Sequence, residues 1–180
     1  FDALTGRALG VYRLVEELGR GGMGTVYKAY DPALDRHVAI KVLLEQFARD
    51  PQFLARFRQE AKAIARLDHP NILPIFYFGE EGGLIYIVMR YVAGSRTLRN
   101  AMEASLSLKQ VIDLINQVAS ALDHAHEQGI IHRDVKPSNV LMDGDWALLT
   151  DFGLAKLASS SIDLTGSHEG IGTPAYMSPE

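Results

Sequence analysis

Hydrophobic positions in the first half of the chain follow the short, alternating period of β-strands. Apolar stretches at 11–19 and 24–30 flank a glycine-rich turn, and a stretch rich in Val and Ile follows at 36–43. Two further stretches, at about 73–78 and 84–89, have the same character and are expected to be joined by the turn Gly79-Glu80-Glu81-Gly82-Gly83. The first half of the chain therefore predicts five strands.

A helix is predicted between the third and fourth strands. Asp50 is a suitable N-cap residue, and Pro51 stands at the first helical position, where its missing N–H is not needed. Apolar residues then recur at helical spacing at Phe53, Phe57, Ala61, Ile64 and Leu67. The segment His69-Pro70-Asn71 is expected to end this helix.

The second half of the chain changes to a helical pattern, which places a lobe boundary near residues 90–94. Ser107 and Gln110 form a capping box, and Gly129 is the expected C-cap. The apolar face of the helix between them is expected to contain Val111, Leu114, Ile115, Val118, Leu122 and Ala125.

Two short strands are expected after this helix, at about 140–142 and 147–150. They flank the turn Asp143-Gly144-Asp145. The remainder, 154–180, is rich in Ser, Gly and Thr and has no clear period.

Composition excludes several classes of protein. The apolar fraction of 47% among 180 residues is typical of a globular protein with a buried core. A formal charge of −4 gives no indication of nucleic-acid binding, and the absence of Cys excludes disulfides and thiolate metal sites. No apolar run reaches the roughly 18 residues of a membrane span. The chain starts with Phe and ends at Pro179-Glu180, and we expect it to be a piece of a longer protein.

A glycine-rich motif lies between the first two strands. Gly19 to Val26 has the form G-x-G-x-x-G-x-V, and glycines let a backbone approach phosphates closely. Its position between two strands argues against a dinucleotide-binding site, in which the motif leads into a helix. The alternative is a plain glycine-rich hairpin.

The third strand places Ala39 and Lys41 on one face, opposite Val38, Ile40 and Val42. A small residue beside a lysine suits a flat base next to a phosphate chain. Lys41 is also the obvious partner for Glu60, whose helical position is on the buried face. The alternatives are a lysine extending from an edge strand and a solvated glutamate.

The segment from Ile131 to Val140 combines residue types suited to phosphoryl transfer. Asp134 can accept the proton of an attacking hydroxyl, and Lys136 can stabilise charge on a transferred phosphoryl group. The amide of Asn139 and the carboxylate of Asp151, in Asp151-Phe152-Gly153, can hold a hard cation such as Mg²⁺. The alternative is a polar loop of accidental composition.

In their order and spacing, these motifs resemble the eukaryotic-like protein kinase family, and in particular its bacterial serine/threonine members. The resemblance covers residues 11–180, after a lead-in at 1–10. It implies an α+β fold of two lobes. An antiparallel five-stranded sheet with one helix is expected at 11–92, and a mainly helical, incomplete lobe at 93–180.

The resemblance implies transfer of the ATP γ-phosphate to protein hydroxyls, with Mg²⁺ bridging the phosphates. Lys41 would contact the α- and β-phosphates and pair with Glu60, Asp134 would be the catalytic base with Lys136 beside the γ-phosphate, and Asn139 and Asp151 would hold Mg²⁺. The residues that would contact the nucleotide are Leu18, Gly19, Arg20, Gly21, Gly22, Met23, Gly24, Thr25, Val26, Ala39, Lys41, Met89, Arg90, Tyr91, Val92 and Leu141.

The substrate class follows from two segments that resemble Ser/Thr kinases, Lys136-Pro137-Ser138 and Gly172 to Tyr176. The resemblance also implies regulation by activation-loop phosphorylation. The residues concerned are Arg133, Thr165, Ser167 and Thr173. Protein substrates are the implied partners, with self-association for trans-autophosphorylation. A cytoplasmic location is implied, with the parent protein tethered to the inner membrane by a later segment.

Three positions depart from the family pattern. Arg90 stands where Glu is frequent and is expected to point outward, Arg96 lies near the usual ribose-binding acid, and Ser178 replaces the Ala of A-P-E. The piece alone is expected to be marginally stable or poorly active. The alternative functions are a nucleotide-binding pseudokinase that acts as an interaction module and a small-molecule phosphotransferase of kinase-like fold.

Overall fold

A computed structural model describes residues 4–94, 96–152 and 176 of the chain. The chain divides into two compact units. The first unit comprises Phe1–Ala61 and Pro74–Tyr91, and the second comprises Lys62–Leu73 and Val92–Glu180.

The first unit contains an antiparallel sheet with the strand order β1-β2-β3-β4-β6-β5. Its strands are β1 (Ala8–Leu9), β2 (Tyr12–Gly21), β3 (Gly24–Asp31), β4 (Arg36–Leu43), β5 (Ile75–Glu81) and β6 (Leu84–Arg90). All five predicted strands are present. A sixth, β1, adds two residues to the edge of β2 and is too short to show a period in the sequence.

One face of this sheet forms the core of the first unit. The buried residues of that face are Leu9, Leu14, Tyr27, Ala29, Val38, Ile40, Val42, Tyr86 and Val88. Strand alternation places every second residue of β4 in this cluster, as predicted for Val38, Ile40 and Val42. Burial of these side chains stabilises the sheet by roughly 1.5–3 kcal/mol for each large aliphatic residue.

The β5–β6 hairpin differs from the prediction in the role of Gly79. The strands are joined by Gly82 and Gly83, which have φ of 57° and 78° and therefore suit a type I′ turn. Gly79 lies within β5 opposite Tyr86, and a Cβ there would come within 2.1 Å of the Tyr86 ring. This glycine is required by the packing of an aromatic side chain and not by a turn, so the strand continues three residues beyond its predicted end.

Two helices belong partly or wholly to the first unit, α1 (Glu45–Ala48) and α2 (Pro51–Ile64). The predicted N-cap is confirmed, since Asp50 Oδ1 accepts hydrogen bonds from the backbone N–H groups of residues 52 and 53 at 2.9 and 3.1 Å. The predicted end of α2 near His69 was wrong by five residues. Leu67 is buried as expected, but it lies beyond the helix and after the turn at residues 65–66. The four-residue α1 was not predicted.

The second unit contains α3 (Leu98–Glu103) and α4 (Leu108–Glu127), followed by a 3₁₀ turn (Pro137–Asn139) and the hairpin of β7 (Val140–Asp143) and β8 (Trp146–Leu149). The predicted capping box at the start of α4 is confirmed, with Gln110 N donating to Ser107 Oγ at 3.3 Å and Ser107 N donating to Gln110 Oε1 at 3.0 Å.

The predicted end of α4 is also confirmed. Gly129 has φ 74° immediately after the helix. Its N–H donates to the carbonyl of His126, and that of Ile130 donates to the carbonyl of Ala125, both at 2.9 Å. These two bonds form a Schellman motif, which satisfies carbonyl groups that the end of a helix leaves open.

The apolar face of α4 is narrower than predicted. Leu114 and Ala125 are buried as expected, together with Ala121. Ile115 was assigned to the buried face, but 61% of it is exposed. Some apolar residues of α4 are therefore not covered by other described residues. None of the helices in the described part of the chain combines the length and apolar composition of a membrane span.

Candidate active site

The glycine-rich motif lies at the β2–β3 hairpin of the first unit. β2 continues to Gly21, and β3 begins at Gly24, so the turn itself is the pair Gly22-Met23. At Gly24 a Cβ would come within 2.0 Å of the Val42 carbonyl oxygen. Glycine is therefore needed at this position so that β3 can approach β4.

The other glycines of the motif have no such requirement. At Gly19, Gly21 and Gly22, a Cβ would meet no described atom within 4 Å. All three are exposed. The folded chain therefore leaves room for a side chain at each of these three positions. Glycine at such positions suits a backbone that a ligand approaches closely.

One face of the sheet, opposite the core, carries four of the residues predicted to contact the nucleotide. Val26 lies opposite Lys41, and Ala39 lies opposite Met89. Directly opposed residues of antiparallel strands project from the same face. Ala39, Lys41 and Met89 are each less than 9% exposed. A small side chain, a lysine and two apolar residues thus share one surface.

Helix α2 lies on this same face. Ile87 of β6 lies opposite Lys41 of β4 on one side and opposite Phe78 of β5 on the other, so the three side chains share a face. The Phe78 ring is 6.0 Å from the ring of Phe57 on α2. Glu60, half-buried, is one helical turn beyond Phe57. Since a buried ammonium group is costly without a partner, this placement agrees with a Lys41–Glu60 ion pair, which stays a prediction.

The segment after β6 carries the predicted hinge. Arg90 N donates to the carbonyl of Pro74 at 3.0 Å, and the Arg90 residue is exposed, in line with its expected outward direction. The Tyr91 ring lies 5.2 Å from Lys28 Nζ and 6.2 Å from the His37 ring. The first unit ends at Tyr91, and Val92 is buried in the second unit.

In the second unit, two predicted residues donate hydrogen bonds to one carboxylate oxygen of a third, Asp134. Oδ2 of Asp134 accepts from Lys136 Nζ at 2.8 Å and from Asn139 Nδ2 at 2.9 Å. Asn139 Nδ2 also donates to the Asp134 carbonyl at 2.8 Å. The Asp134 side chain is 10% exposed. These bonds fix the orientation of the carboxylate that the sequence predicts as the proton acceptor.

His132 supports this loop from the core. It is 1% exposed, and its Nε2 donates to the Thr150 carbonyl at 2.9 Å. Its Nδ1 accepts from the Asp134 N–H at 3.2 Å, and its ring is 4.6 Å from that of Phe152. Burial lowers the pKa of His132, which keeps the neutral form that both hydrogen bonds require. The sequence motif included His132 but indicated no role for it.

Two non-glycine residues of the site have strained backbones. Arg133 has φ 65° and Asp151 has φ 61°, in the left-handed region that L residues avoid. Each such residue costs on the order of 1–3 kcal/mol and persists only where its surroundings hold it. One precedes Asp134, and the other is itself the predicted metal ligand.

The residues present fit a divalent cation. The Nδ2 group of Asn139 is committed to Asp134, which leaves its amide oxygen as the atom that could bind a metal. The described residues contain no cluster of three or more His, Cys, Asp or Glu that could hold a metal. One amide oxygen and the Asp151 carboxylate suit a divalent cation that is also bound by phosphates, because such cations can use few protein ligands. The ligand role of Asp151 stays a prediction.

Other predicted residues are placed individually. Leu141 is half-buried in β7, and Arg96, an exposed residue, accepts at its carbonyl from Met142 N at 2.8 Å. Leu18 and Arg20 lie in β2, and Thr25 lies in β3. Five other predicted positions lie outside the described residues; they are Gly153, Thr165, Ser167, Thr173 and Ser178.

Comparison with known proteins identifies the family of the chain. The protein kinase domain family matches residues 12–180. Serine/threonine-protein kinase PrkC of Bacillus subtilis is 44% identical over 97% of this chain and 27% of its own length. A probable serine/threonine-protein kinase PknB of Lactococcus lactis is 46% identical over 94% of this chain and 27% of its own length. The chain thus spans about a quarter of the length of these relatives.

Solved structures agree with this result. The kinase domain of Mycobacterium tuberculosis PknI has a TM-score of 0.73 and 35% identity, covering 87% of this chain and 68% of that one. The apo form of PpkA-294 has a TM-score of 0.78 and 29% identity, covering 90% and 66%. The chain belongs to the protein kinase domain family, and the α+β kinase-like fold expected from its sequence is confirmed. The family implies ATP and a divalent metal in general.

Proposed function

We propose that the protein containing this chain transfers the γ-phosphate of ATP to serine and threonine hydroxyl groups of proteins. The observation that carries the proposal is the Asp134 carboxylate held by Lys136 and Asn139, at 2.8 and 2.9 Å. The curated relatives named as serine/threonine-protein kinases support the same substrate class. A pseudokinase or a small-molecule phosphotransferase has no comparable observation in its favour.

In the reaction, the substrate hydroxyl oxygen forms a bond to the γ-phosphorus while the bond to the β–γ bridging oxygen breaks, and ADP leaves. Asp134 orients the hydroxyl and receives its proton. Lys136 places positive charge beside the transferred group. Asn139 and Asp151 would hold Mg²⁺, which when bound neutralises charge on the phosphates.

The first unit supplies the proposed nucleotide contacts. The exposed backbone at Gly19 to Gly22 covers the phosphates, and Lys41, with Glu60 as its partner, contacts the α- and β-phosphates. The base lies against Val26 and Ala39, with Met89 beside it and the backbone of 90–91 as its hydrogen-bonding edge. Leu141 and Val92, which belong to the second unit, stay predicted nucleotide contacts. The shared sheet face of Val26, Ala39, Lys41 and Met89 supports this assignment.

We further propose control by phosphorylation of the activation segment. A phosphate on Thr165 or Ser167 adds roughly −1.5 to −2 charge and could pair with Arg133. Thr173 belongs to the same proposed regulatory set. Trans-phosphorylation requires two copies of the protein to meet, and the cytoplasm, where ATP is supplied, is the proposed location.

Intact-mass spectrometry after incubation with ATP and Mg²⁺ tests the function. The unmodified full-length protein should gain phosphate, and its Asp134→Asn variant should not. An Asp113→Asn control, on the exposed surface of α4, should behave as the unmodified protein. Equal phosphate gain in Asp134→Asn would contradict the assigned base. Assays against a generic protein substrate and against small alcohols separate a protein kinase from a small-molecule phosphotransferase.

A further inference from the structure

Two side-chain amides connect three elements of the second unit. Asn71, in the segment after α2, is 5% exposed. Its Nδ2 donates to Gln117 Oε1 on α4 and to the carbonyl of Ala147 on β8, both at 2.9 Å. Both N–H bonds of the Asn71 side chain are therefore used within the folded chain.

Gln117 completes the network from the helix. Its Oε1 accepts a second bond, from Ala147 N at 2.8 Å, and its Nε2 donates to the Asp145 carbonyl at 3.1 Å. The backbone of Asn71 adds a further link, since its carbonyl accepts from Leu149 N at 2.8 Å. Backbone groups near the start of β8, at Ala147, and at its end, at Leu149, thus both form hydrogen bonds with residues outside the β7–β8 hairpin.

The side-chain amides of Asn71 and Gln117 fix the position of β8 along the strand axis. Apolar packing tolerates sliding because it is non-directional, whereas hydrogen bonds of 2.8–3.1 Å at Asp145, Ala147 and Leu149 fix each backbone group separately. A slip of one residue would also turn the side chains of the strand to the opposite face. An aliphatic residue in place of Gln117 would fill the space but would not fix the strand.

The end of β8 leads directly into the proposed metal ligand. Thr150 follows Leu149, and its N–H donates to the Asn139 carbonyl at 2.9 Å while its carbonyl accepts from His132. Asp151 comes next, with its strained φ of 61°. The position of this carboxylate is therefore set by the catalytic loop on one side and by β8, through Asn71 and Gln117, on the other.

We propose that Gln117, acting with Asn71, is a positioning residue that fixes β8 and thereby sets the Asp151 carboxylate where it binds the metal. Gln117 itself contacts neither substrate nor metal in this role. The inference rests on the proposed function, because it assigns a consequence to the same site. It predicts that the loss of these amides changes the metal requirement of the reaction more than it changes ATP binding.

The experiment compares three variants of the full-length protein. Gln117→Met keeps the length of the side chain and removes all of its hydrogen bonds. Gln117→Glu keeps an oxygen that accepts from Asn71 and Ala147 but loses the donor to Asp145. Asn116→Met makes the equivalent change at the neighbouring, exposed position of α4 and is the control.

Two measurements decide the matter. Steady-state assays give the Mg²⁺ concentration for half-maximal rate, the KM for ATP and kcat. Hydrogen–deuterium exchange with mass spectrometry gives the protection of peptides that cover residues 146–152. For Gln117→Met we expect a rise of roughly 10-fold in the required Mg²⁺, as for other groups that orient metal ligands, with faster exchange in 146–152 and little change in KM for ATP. Gln117→Glu should stay within about threefold of the unmodified protein.

The results that would overturn the inference are distinct. If Gln117→Met lowers the melting temperature but leaves the Mg²⁺ requirement and the exchange of 146–152 as in the control, then Gln117 has only a structural role. If Gln117→Met does not fold, Asn71→Ser removes donors from the same network and carries the same expectation. An unmodified protein without phosphotransfer would contradict the proposed function instead. In that case, unchanged exchange in the variant would still overturn the positioning role, and faster exchange would support it.

Discussion

The glycine-rich hairpin of the first unit and the catalytic loop of the second unit are built by opposite means. At Gly19, Gly21 and Gly22 the described chain imposes no steric limit on a side chain. Around Asp134, in contrast, side chains and backbone groups meet in short hydrogen bonds from Lys136 and Asn139. The first region offers bare backbone, and the second offers side chains in fixed positions.

This difference matches the chemistry proposed for each region. Phosphate oxygens are well bound by backbone N–H groups that can adapt to them. A proton acceptor and a metal ligand must be held within fractions of an ångström of their working positions. Substitutions in the hairpin should therefore change nucleotide binding, and substitutions in the loop should change the rate of the chemical step.

The largest expected effect comes from removing Asn139. Asn139→Ala deletes both hydrogen bonds that Asn139 donates to Asp134 and also the proposed amide ligand of the metal, so we expect kcat to fall by roughly 100-fold or more. KM for ATP should change much less. Steady-state kinetics of the variant measure both, with Asn116→Ala as a control on exposed α4 surface. A fall confined to KM would remove the contrast between the two regions.

Gly24 is the one glycine among Gly19, Gly21, Gly22 and Gly24 that a described neighbour requires, so its substitution should affect stability. A Cβ at Gly24 would come within 2.0 Å of the Val42 carbonyl oxygen, which is backbone and cannot rotate away. Gly24→Ala should therefore lower the free energy of unfolding by about 1–3 kcal/mol or more. Chemical denaturation of the variant measures this loss. An unchanged midpoint would show that β3 and β4 can separate without cost.

The strands β3 and β4 show what a sequence can and cannot predict. Both ends of β4, Arg36 and Leu43, agree with the prediction, because Val and Ile recur at alternate positions without a glycine. Gly24 and Gly21 look alike in the sequence, yet one is required by its neighbour Val42 and the other is not. That distinction depends on strand pairing, which the pattern of residues does not contain.

Tertiary contacts explain the remaining differences. Gly79 was interpreted as part of a turn because the ring of Tyr86, which occupies its space, is seven residues away in the sequence. In the candidate site, Asp134, Lys136 and Asn139 could be predicted because they lie in one short motif. The network of Asn71 and Gln117 could not, since these residues are 46 positions apart and neither belongs to a motif.

Gly21, unlike Gly24, has space for a side chain. A Cβ at Gly21 meets no described atom within 4 Å, so Gly21→Ala should change the free energy of unfolding by no more than about 0.5 kcal/mol. If the backbone here approaches the phosphates, the KM for ATP should rise several-fold, at the lower end of what a misplaced contact costs. Denaturation and kinetics on the same preparation test both statements. A loss of stability equal to that of Gly24→Ala would contradict them.

A pH dependence of stability is expected in the second unit. Burial lowers the pKa of His132, so the unfolded chain, with an ordinary pKa of about 6.5, binds a proton more readily than the folded one. Protonation of His132 therefore does not lower the free energy of unfolding well above pH 6.5. As the pH falls below 6.5, the free energy of unfolding decreases by at most about 1.4 kcal/mol per pH unit.

Melting temperatures between pH 5 and pH 8 measure this dependence. His132→Gln cannot be protonated in this range, so its melting temperature should vary less with pH than that of the unmodified protein. A residual slope is expected, because the pKa of His69 is also lowered, first by burial and then by the charge of His124. Since Asp134 N–H donates to the neutral His132 ring, acid should also disturb the catalytic loop. A variant slope equal to the original would mean that protonation of His132 is not linked to unfolding, and that the loop is held without it.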